Sequence, residues 1–412
     1  MADRTPGVTA SAPAAGATRP LLAAEAVCWL AYGAIGLSGG LLGPALPALR
    51  HYLHAGYGEL GLLFAASSVG GTVASLFGNR LLDGLGYRRL LAASAVVLGL
   101  ASILRADLAY LPVWVILGAV GGFAAVGVDI GGIRYVAAAA TSARRNAALN
   151  LLNVFYSVGS VASPLIVAAL AATGASVLWA YTLTGLMLVL TALAARATVP
   201  QGRPEAGEVN ALAAWRWALG RPAIVRLALV IALYAALEQA FGGWIASYAQ
   251  SRDHLSLAAA AAFPLVFWAA MTVGRAVSAE RARHWSEGTL LAVGALTVTV
   301  GAALAIFTRD PLAIGAAAAL SGIGCAPIWP SVFSLAAHRA PDRHSEAYGL
   351  LYPAASVGVL VAPWLAGELF GALGPRAALA VPLACALLMS ALLAHVARTD
   401  GLAAEGVAAA SG

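Results

Sequence analysis

The chain has 412 residues, 61% of them hydrophobic and 10% charged, with a mean hydropathy of +0.84. A soluble domain carries about one-quarter charged residues, so a large soluble core is excluded and an integral membrane protein is expected. The formal charge of +6 comes from arginine alone, spread over loops, and reads as membrane topology rather than as a nucleic-acid surface.

Residues 1–20 are rich in Ala, Pro, Gly and Thr and are expected to be a disordered cytoplasmic tail. They do not read as a signal peptide, because the apolar run that follows is too long for one. About 20 apolar residues cross a bilayer. Twelve segments meet that length: 22–49, 58–78, 90–108, 111–138, 147–171, 176–196, 223–250, 257–279, 288–307, 311–337, 346–372 and 375–397. The longest connection is rich in Pro, Gly, Glu and Arg and divides the segments six and six. The expected organisation is therefore a six-helix bundle over 21–197, a cytoplasmic linker over 198–222, a second bundle over 223–398 and a cytoplasmic tail over 399–412.

Orientation follows from arginine placement. With both termini cytoplasmic, only Arg50, Arg105, Arg252, Arg309 and Arg376 of the 24 basic residues fall outside. This predicts a multi-pass protein of the plasma (inner) membrane, in contact with the lipid bilayer.

The two halves repeat. Ser157, Gly159 and Pro164 in segment five match Ser356, Gly358 and Pro363 in segment eleven, 199 residues on. Gly122 in segment four matches Gly322 in segment ten, 200 residues on. Tyr32 to Gly39-Gly40 resembles Tyr234 to Gly242-Gly243. The expected fold is all-α, with twelve transmembrane helices in two pseudo-symmetric six-helix bundles. A solute site at mid-membrane between such repeats is a transporter architecture.

Two acids lie deep in apolar segments: Asp129 in segment four and Glu238 in segment seven. An intramembrane carboxylate is a functional-site hypothesis by default. Asp129 can exchange a proton between access states, or serve as a structural acid paired with Arg134. Glu238 reads as a second proton site or a hydrogen-bonding group to substrate, or else as a carboxyl that ties neighbouring helices. In segment five, Asn146, Asn150, Asn153, Ser157, Ser160 and Pro164 recur at spacings of four and three, one polar stripe on one helix face. Such a stripe lines a cavity or bonds to a neighbouring helix. The aromatics expected near the cavity include Tyr32, Tyr234, Trp244, Trp329 and Tyr352, with Trp244 and Trp329 preferred. Glu25 reads as an interfacial charge.

No enzyme constellation is present. The three cysteines, Cys28, Cys325 and Cys385, form neither a disulfide framework nor metal spacing. There is no nucleotide-phosphate loop, so ATP is not the expected energy source. No cofactor or metal is expected.

The loop after segment two reads Gly78-Asn79-Arg80-Leu81-Leu82-Asp83-Gly84-Leu85-Gly86-Tyr87-Arg88-Arg89. At Asp83, Gly86, Arg88 and Arg89 it resembles the cytoplasmic loop motif of the major facilitator superfamily, which implies that fold. Asn79 and Gly84 depart from the motif. Asp83 with Arg88 and Arg89 would then latch the halves in one state; the plainer reading is a topogenic basic loop. Asp129, then Arg144-Arg145-Asn146 to Asn153, and Tyr234 to Glu238, Gly242-Gly243, Trp244 and Tyr248 are similar to the fucose–proton symporter (sugar permease) branch. That branch implies a proton-coupling acid at the place of Asp129. Its sugar symporters also carry an acid in helix one, whereas the stretch around Ser38 has none. Ile133 stands where the branch has asparagine, followed by Arg134.

The resemblance implies a monomeric secondary transporter that moves a small-molecule substrate, polar and sugar-like, by alternating access with a proton. The alternative is proton-driven efflux of a metabolite or drug. Asp129 and Glu238 are the expected proton-coupling residues. Asn150, Asn153, Tyr32, Tyr234, Gln239, Trp244, Trp329 and Tyr352 are expected at the substrate, and Asp83, Arg88, Arg89 and Arg134 at the gate.

Overall fold

The computed structural model describes residues 15–202 and 211–399. Most of the two expected tails, and the linker from 203 to 210, lie outside the described residues; α1 takes in 15–20. The elements are α1 (Ala15–Tyr52), α2 (Tyr57–Asp107), α3 (Leu111–Ala139), α4 (Ser142–Ala172), α5 (Trp179–Thr198), α6 (Ala211–Leu219), α7 (Pro222–Asp253), α8 (Leu257–Arg281), α9 (Glu287–Phe307), α10 (Pro311–Cys325), α11 (Ile328–Arg339), α12 (His344–Leu373) and α13 (Pro375–Thr399). A 3-10 turn, Pro341–Arg343, precedes α12. Among the described residues, twelve helical stretches are long and apolar enough to cross a membrane.

Local chemistry sets the boundaries. Ser256, Ser286 and Asp310 cap α8, α9 and α10, each accepting a backbone N–H with its side-chain oxygen. Proline opens the first turn of α3, α7 and α10, where its missing N–H has no helical partner to lose.

Two features differ from twelve plain hairpins. Segments two and three run on as α2, interrupted only at Gly86, whose φ of 73° is a left-handed value suited to glycine. Segment ten is broken instead. α10 stops at Cys325, Pro327 cannot continue it, and α11 restarts at Ile328.

Elements α1–α5 form one bundle and α7–α13 the other, with the short α6 packed beside α12 by a Trp215 Nε1 donation to the Gly349 carbonyl at 2.9 Å. With twelve spans between them, the start of α1 and the end of α13 lie on one face, the terminal face; the opposite one is the far face. The repeat has a physical basis. A Cβ at Gly159 would lie 2.0 Å from the Gly33 carbonyl oxygen, and one at Gly358 would lie 2.1 Å from that of Ala232. Gly159 thus lets α4 touch α1, and Gly358 lets α12 touch α7. Close approach over small residues is how membrane helices gain packing without a hydrophobic drive.

The bundles meet tightly near the far face. A Cβ at Gly43 of α1 would stand 2.8 Å from the Gly242 carbonyl oxygen of α7. Tyr57 of α2 shares a 2.7 Å hydrogen bond with Ser251 of α7, and its ring lies 3.8 Å from that of Phe370 in α12. Phe64 and Trp244 add a further ring contact across this far seam. At mid-depth, Arg275 of α8 reaches Ser157 of α4.

Candidate functional site

Asp129 stands ten residues from the end of α3, about 15 Å along a helix rising 1.5 Å per residue. Its depth is near the middle of the span. The hydroxyl of Tyr32 in α1 donates to Asp129 Oδ1 at 2.5 Å and to its carbonyl oxygen at 2.9 Å. Gly132, one turn on, makes room: a Cβ there would meet the Tyr32 ring at 2.9 Å. Asp129 is half-buried and turned toward α1. Its bonded partner is Tyr32 rather than the exposed Arg134.

In the second bundle, Tyr352 of α12 is 53% exposed yet within electrostatic range of Asp129 and Tyr32. Behind it stand stacked aromatics of the second bundle. Trp329 and Phe333 of α11 stack at 4.9 Å, Phe333 meets Tyr352 at 5.0 Å, and Trp329 meets Tyr234 at 6.2 Å. The break between α10 and α11 places Trp329 one residue into the restarted helix, facing this wall. Interrupted helices at mid-membrane are tolerated where they line a cavity.

Glu238 lies one turn beyond Tyr234 on α7, at a depth like that of Asp129. The Arg275 guanidinium of α8 acts on it electrostatically, as does the Tyr234 hydroxyl. Arg275 Nη1 also donates to Ser157 Oγ of α4 at 3.1 Å. The second acid therefore has a cationic neighbour that also ties the bundles together. Asp129 has a neutral hydroxyl partner instead.

The other expected residues separate. Asn150 and Asn153 are exposed on α4, and Asn153 Nδ2 donates to the Leu149 carbonyl at 3.2 Å. The side chain of Asn146 lies outside the described residues. Gln239 is half-buried beside Glu238. The lower stripe on α4 joins helices: Ser160 Oγ donates to the Gly36 carbonyl of α1 at 3.4 Å.

Trp244 stands apart from these residues. It is fully buried in the far seam, where Nε1 donates to the Pro363 carbonyl at 2.8 Å and the ring packs near Phe64, Tyr57 and Phe370. Ten residues past Tyr234 is about 15 Å along α7, which moves it from the cavity to the closure.

The expected latch is not formed either. Asp83 is exposed and, among the described residues, makes neither an ion pair nor a hydrogen bond with Arg88 or Arg89. The loop is held from elsewhere: Tyr87 N donates to the Gly202 carbonyl at 3.0 Å, and Gln201 Nε2 to the Leu85 carbonyl at 2.9 Å. Glu25 is another departure. It is 1% exposed and pairs with Arg144 at 2.9 Å, which closes α1 onto α4. Among the described residues, no group of three His, Cys, Asp or Glu side chains is placed to hold a metal ion.

The model for the Major Facilitator Superfamily matches residues 28–315 and 288–409. The chain belongs to the major facilitator superfamily. It is a multi-pass membrane protein of a superfamily of small-molecule transporters, with that superfamily's all-α fold. The nucleoside transporter NupG, in a mutant form, superposes with a TM-score of 0.76 at 12% identity, over 91% of this chain and 99% of that one. A bacterial homolog of the human lysosomal transporter Spinster, in an inward-facing and unoccupied conformation, gives 0.73 at 14% identity, over 93% and 97%. The human organic anion transporter MFSD10 gives 0.67 at 17% identity, over 91% and 99%. At these identities the likeness is one of fold. A search of the curated proteins finds no match.

Arg275, Phe333 and Tyr57 are not among the site residues expected from motif or depth. Arg275 had a signal, a lone arginine six residues inside the end of an apolar segment. Its long side chain reaches inward from there, the reverse of the usual extension toward the interface.

Proposed function

We propose that the protein is a proton-coupled carrier of a small polar organic solute, sugar-like in size and hydroxyl content. It works by alternating access across the plasma membrane with its terminal face cytoplasmic. The observation that carries this reading is the Tyr32–Asp129 pair, a hydrogen-bonded acid at mid-depth within electrostatic range of Tyr352 in the other bundle.

The physical logic is charge control. Asp129 has no guanidinium acting on it among the described residues, so proton binding changes the net charge of the site. Glu238 has Arg275 and serves as a polar contact for solute hydroxyls. Trp329, Phe333 and Tyr352 offer ring faces against which a sugar or another flat solute stacks. With the far seam shut, this conformation receives or releases solute on the cytoplasmic side. The motif resemblance supports the fucose–proton symporter branch, and the absence of an acid in α1 around Ser38 separates this chain from its sugar symporters.

Export of a metabolite or drug is the second reading. It is favoured by the aromatic wall and by fold neighbours that include an organic anion transporter. Domain limits of 21–197 and 223–398 and a monomeric state complete the proposal.

The test is solute-driven proton movement. A thermal-shift panel of sugars, nucleosides and antibiotics first selects the ligand. Adding that ligand to weakly buffered proteoliposomes should alkalinise the medium. Uptake with no pH change refutes proton coupling.

A further inference from the structure

Charge also gathers on the far face of the second bundle, away from the central site. Five helix ends converge there. Arg252 closes α7, Arg309 lies in the turn from α9 to α10, Leu373 ends α12, and Pro375 and Arg376 open α13. These five residues line an open cleft of about 380 Å³.

Topology gives no reason for arginine on this face, since basic residues favour the other side. The remaining two far-face arginines are taken up by packing. Arg50 lies 4.6 Å from the Tyr57 ring centroid, and Arg105 lies 5.5 Å from that of Trp114. Arg309 and Arg376 are exposed and, among the described residues, form no ion pair or hydrogen bond. Arg252 is oriented by Tyr248, whose hydroxyl accepts from Nη1 and whose ring centroid lies 5.3 Å from the guanidinium. Asp310, beside Arg309, is turned to its own helix, accepting from Leu312 N and Ala313 N at 3.3 Å each. The two exposed guanidinium groups, Arg309 and Arg376, repel each other across one cleft unless an anion sits between them. Guanidinium is the side chain whose donor geometry fits phosphate.

A second observation identifies what carries the phosphate. Among the large apolar side chains, Leu312 (83%), Phe307 (79%) and Leu373 (74%) are the most exposed. All three flank the arginines, at the start of α10, the end of α9 and the end of α12. A soluble anion has no use for this apolar rim. An amphiphile has, because its head and its chains need both surfaces at once.

The geometry points to a binding site for an anionic phospholipid, with its phosphate among Arg252, Arg309 and Arg376 and its chains along Phe307, Leu312 and Leu373. The site joins elements of the far seam. Arg252 follows Ser251, the partner of Tyr57, and Leu373 lies three residues beyond Phe370, whose ring packs against Tyr57. Bound lipid therefore braces α7 against α12 and α13 where the seam closes. The assignment is independent of any role for Asp129.

The test uses full-length protein in dodecyl maltoside, titrated with phosphatidylglycerol or phosphatidylcholine, and read by native mass spectrometry. Wild type should retain phosphatidylglycerol in preference to phosphatidylcholine. The variant Arg309→Gln/Arg376→Gln should bind phosphatidylglycerol about thirty-fold more weakly, at roughly a tenfold loss per 1.4 kcal/mol and about 1 kcal/mol per surface arginine. Arg309→Lys/Arg376→Lys, which keeps the charge, should recover most of the binding and serves as the folded control. Equal retention of both lipids by wild type, or unchanged retention by the glutamine variant, overturns the site. Displacement of phosphatidylglycerol by inorganic phosphate at equal concentration overturns the lipid assignment, leaving a soluble-anion site.

Discussion

Tyr57 is the residue through which the first bundle grips the second, and Tyr57→Ala is expected to loosen the far seam without touching the central site. Its hydroxyl shares the 2.7 Å bond with Ser251, and its ring lies 3.8 Å from Phe370 and 6.1 Å from Trp244. All three partners belong to the second bundle. One net hydrogen bond contributes about 1 kcal/mol. Two aromatic pairs contribute about 0.5–1.5 kcal/mol each. The sum, about 3 kcal/mol, exists only while the seam is shut. Losing it changes the ratio of closed to open seam by about a hundredfold. A population held near 99:1 would move close to parity. Spin labels at Glu59 and Arg376, exposed positions on opposite bundles of the far face, report the change by pulsed electron resonance. Wild type should give one short distance and Tyr57→Ala two populations. Ser251→Ala, which removes the hydrogen bond alone, should give a smaller second population. A single unchanged distance in Tyr57→Ala refutes the reasoning, because the seam would then be held by contacts other than these.

Three further outcomes are expected. Glu238→Gln should weaken solute affinity by thermal shift or direct binding while the protein stays folded; unchanged affinity removes Glu238 from the solute site. Arg144→Gln should lower heat resistance more than Glu25→Gln by about 1 kcal/mol, because it strands a buried carboxylate, whereas the arginine left by Glu25→Gln is half-exposed and can be hydrated. Equal losses would show that Glu25 is hydrated. Gly159→Val and Gly358→Val should each abolish monodisperse folded protein on size exclusion, since each added Cβ falls within about 2 Å of a carbonyl oxygen; a monodisperse product from either contradicts the packed repeat.

The sequence carries the parts of this structure that depend on composition and period. Twelve spans follow from apolar length, and the repeat of Gly159 with Gly358 is legible because both glycines meet a backbone oxygen of a neighbouring helix. The depth of Asp129 is likewise legible from its distance to the segment ends. What the linear pattern lacks is rotation and reach. Trp244 shares a segment with Glu238, yet six residues of rise carry it into the seam. Arg275 belongs by sequence to the end of α8 and acts on Glu238 of α7 only because its side chain extends inward. Tyr32 and Asp129 are 97 positions apart, and no period joins them. Glu25 reads as interfacial because nothing in its own segment announces Arg144. The motif around Asp83 predicts a latch with Arg88 and Arg89, and in this structure Asp83 is exposed and, among the described residues, bonds to neither.

A decisive experiment is solute accumulation by Asp129→Asn in proteoliposomes under an imposed pH gradient, beside counterflow with the gradient removed. The variant should lose accumulation and keep counterflow, because the proton carrier is gone while the solute path remains. Accumulation at the wild-type level would contradict the role given to Asp129.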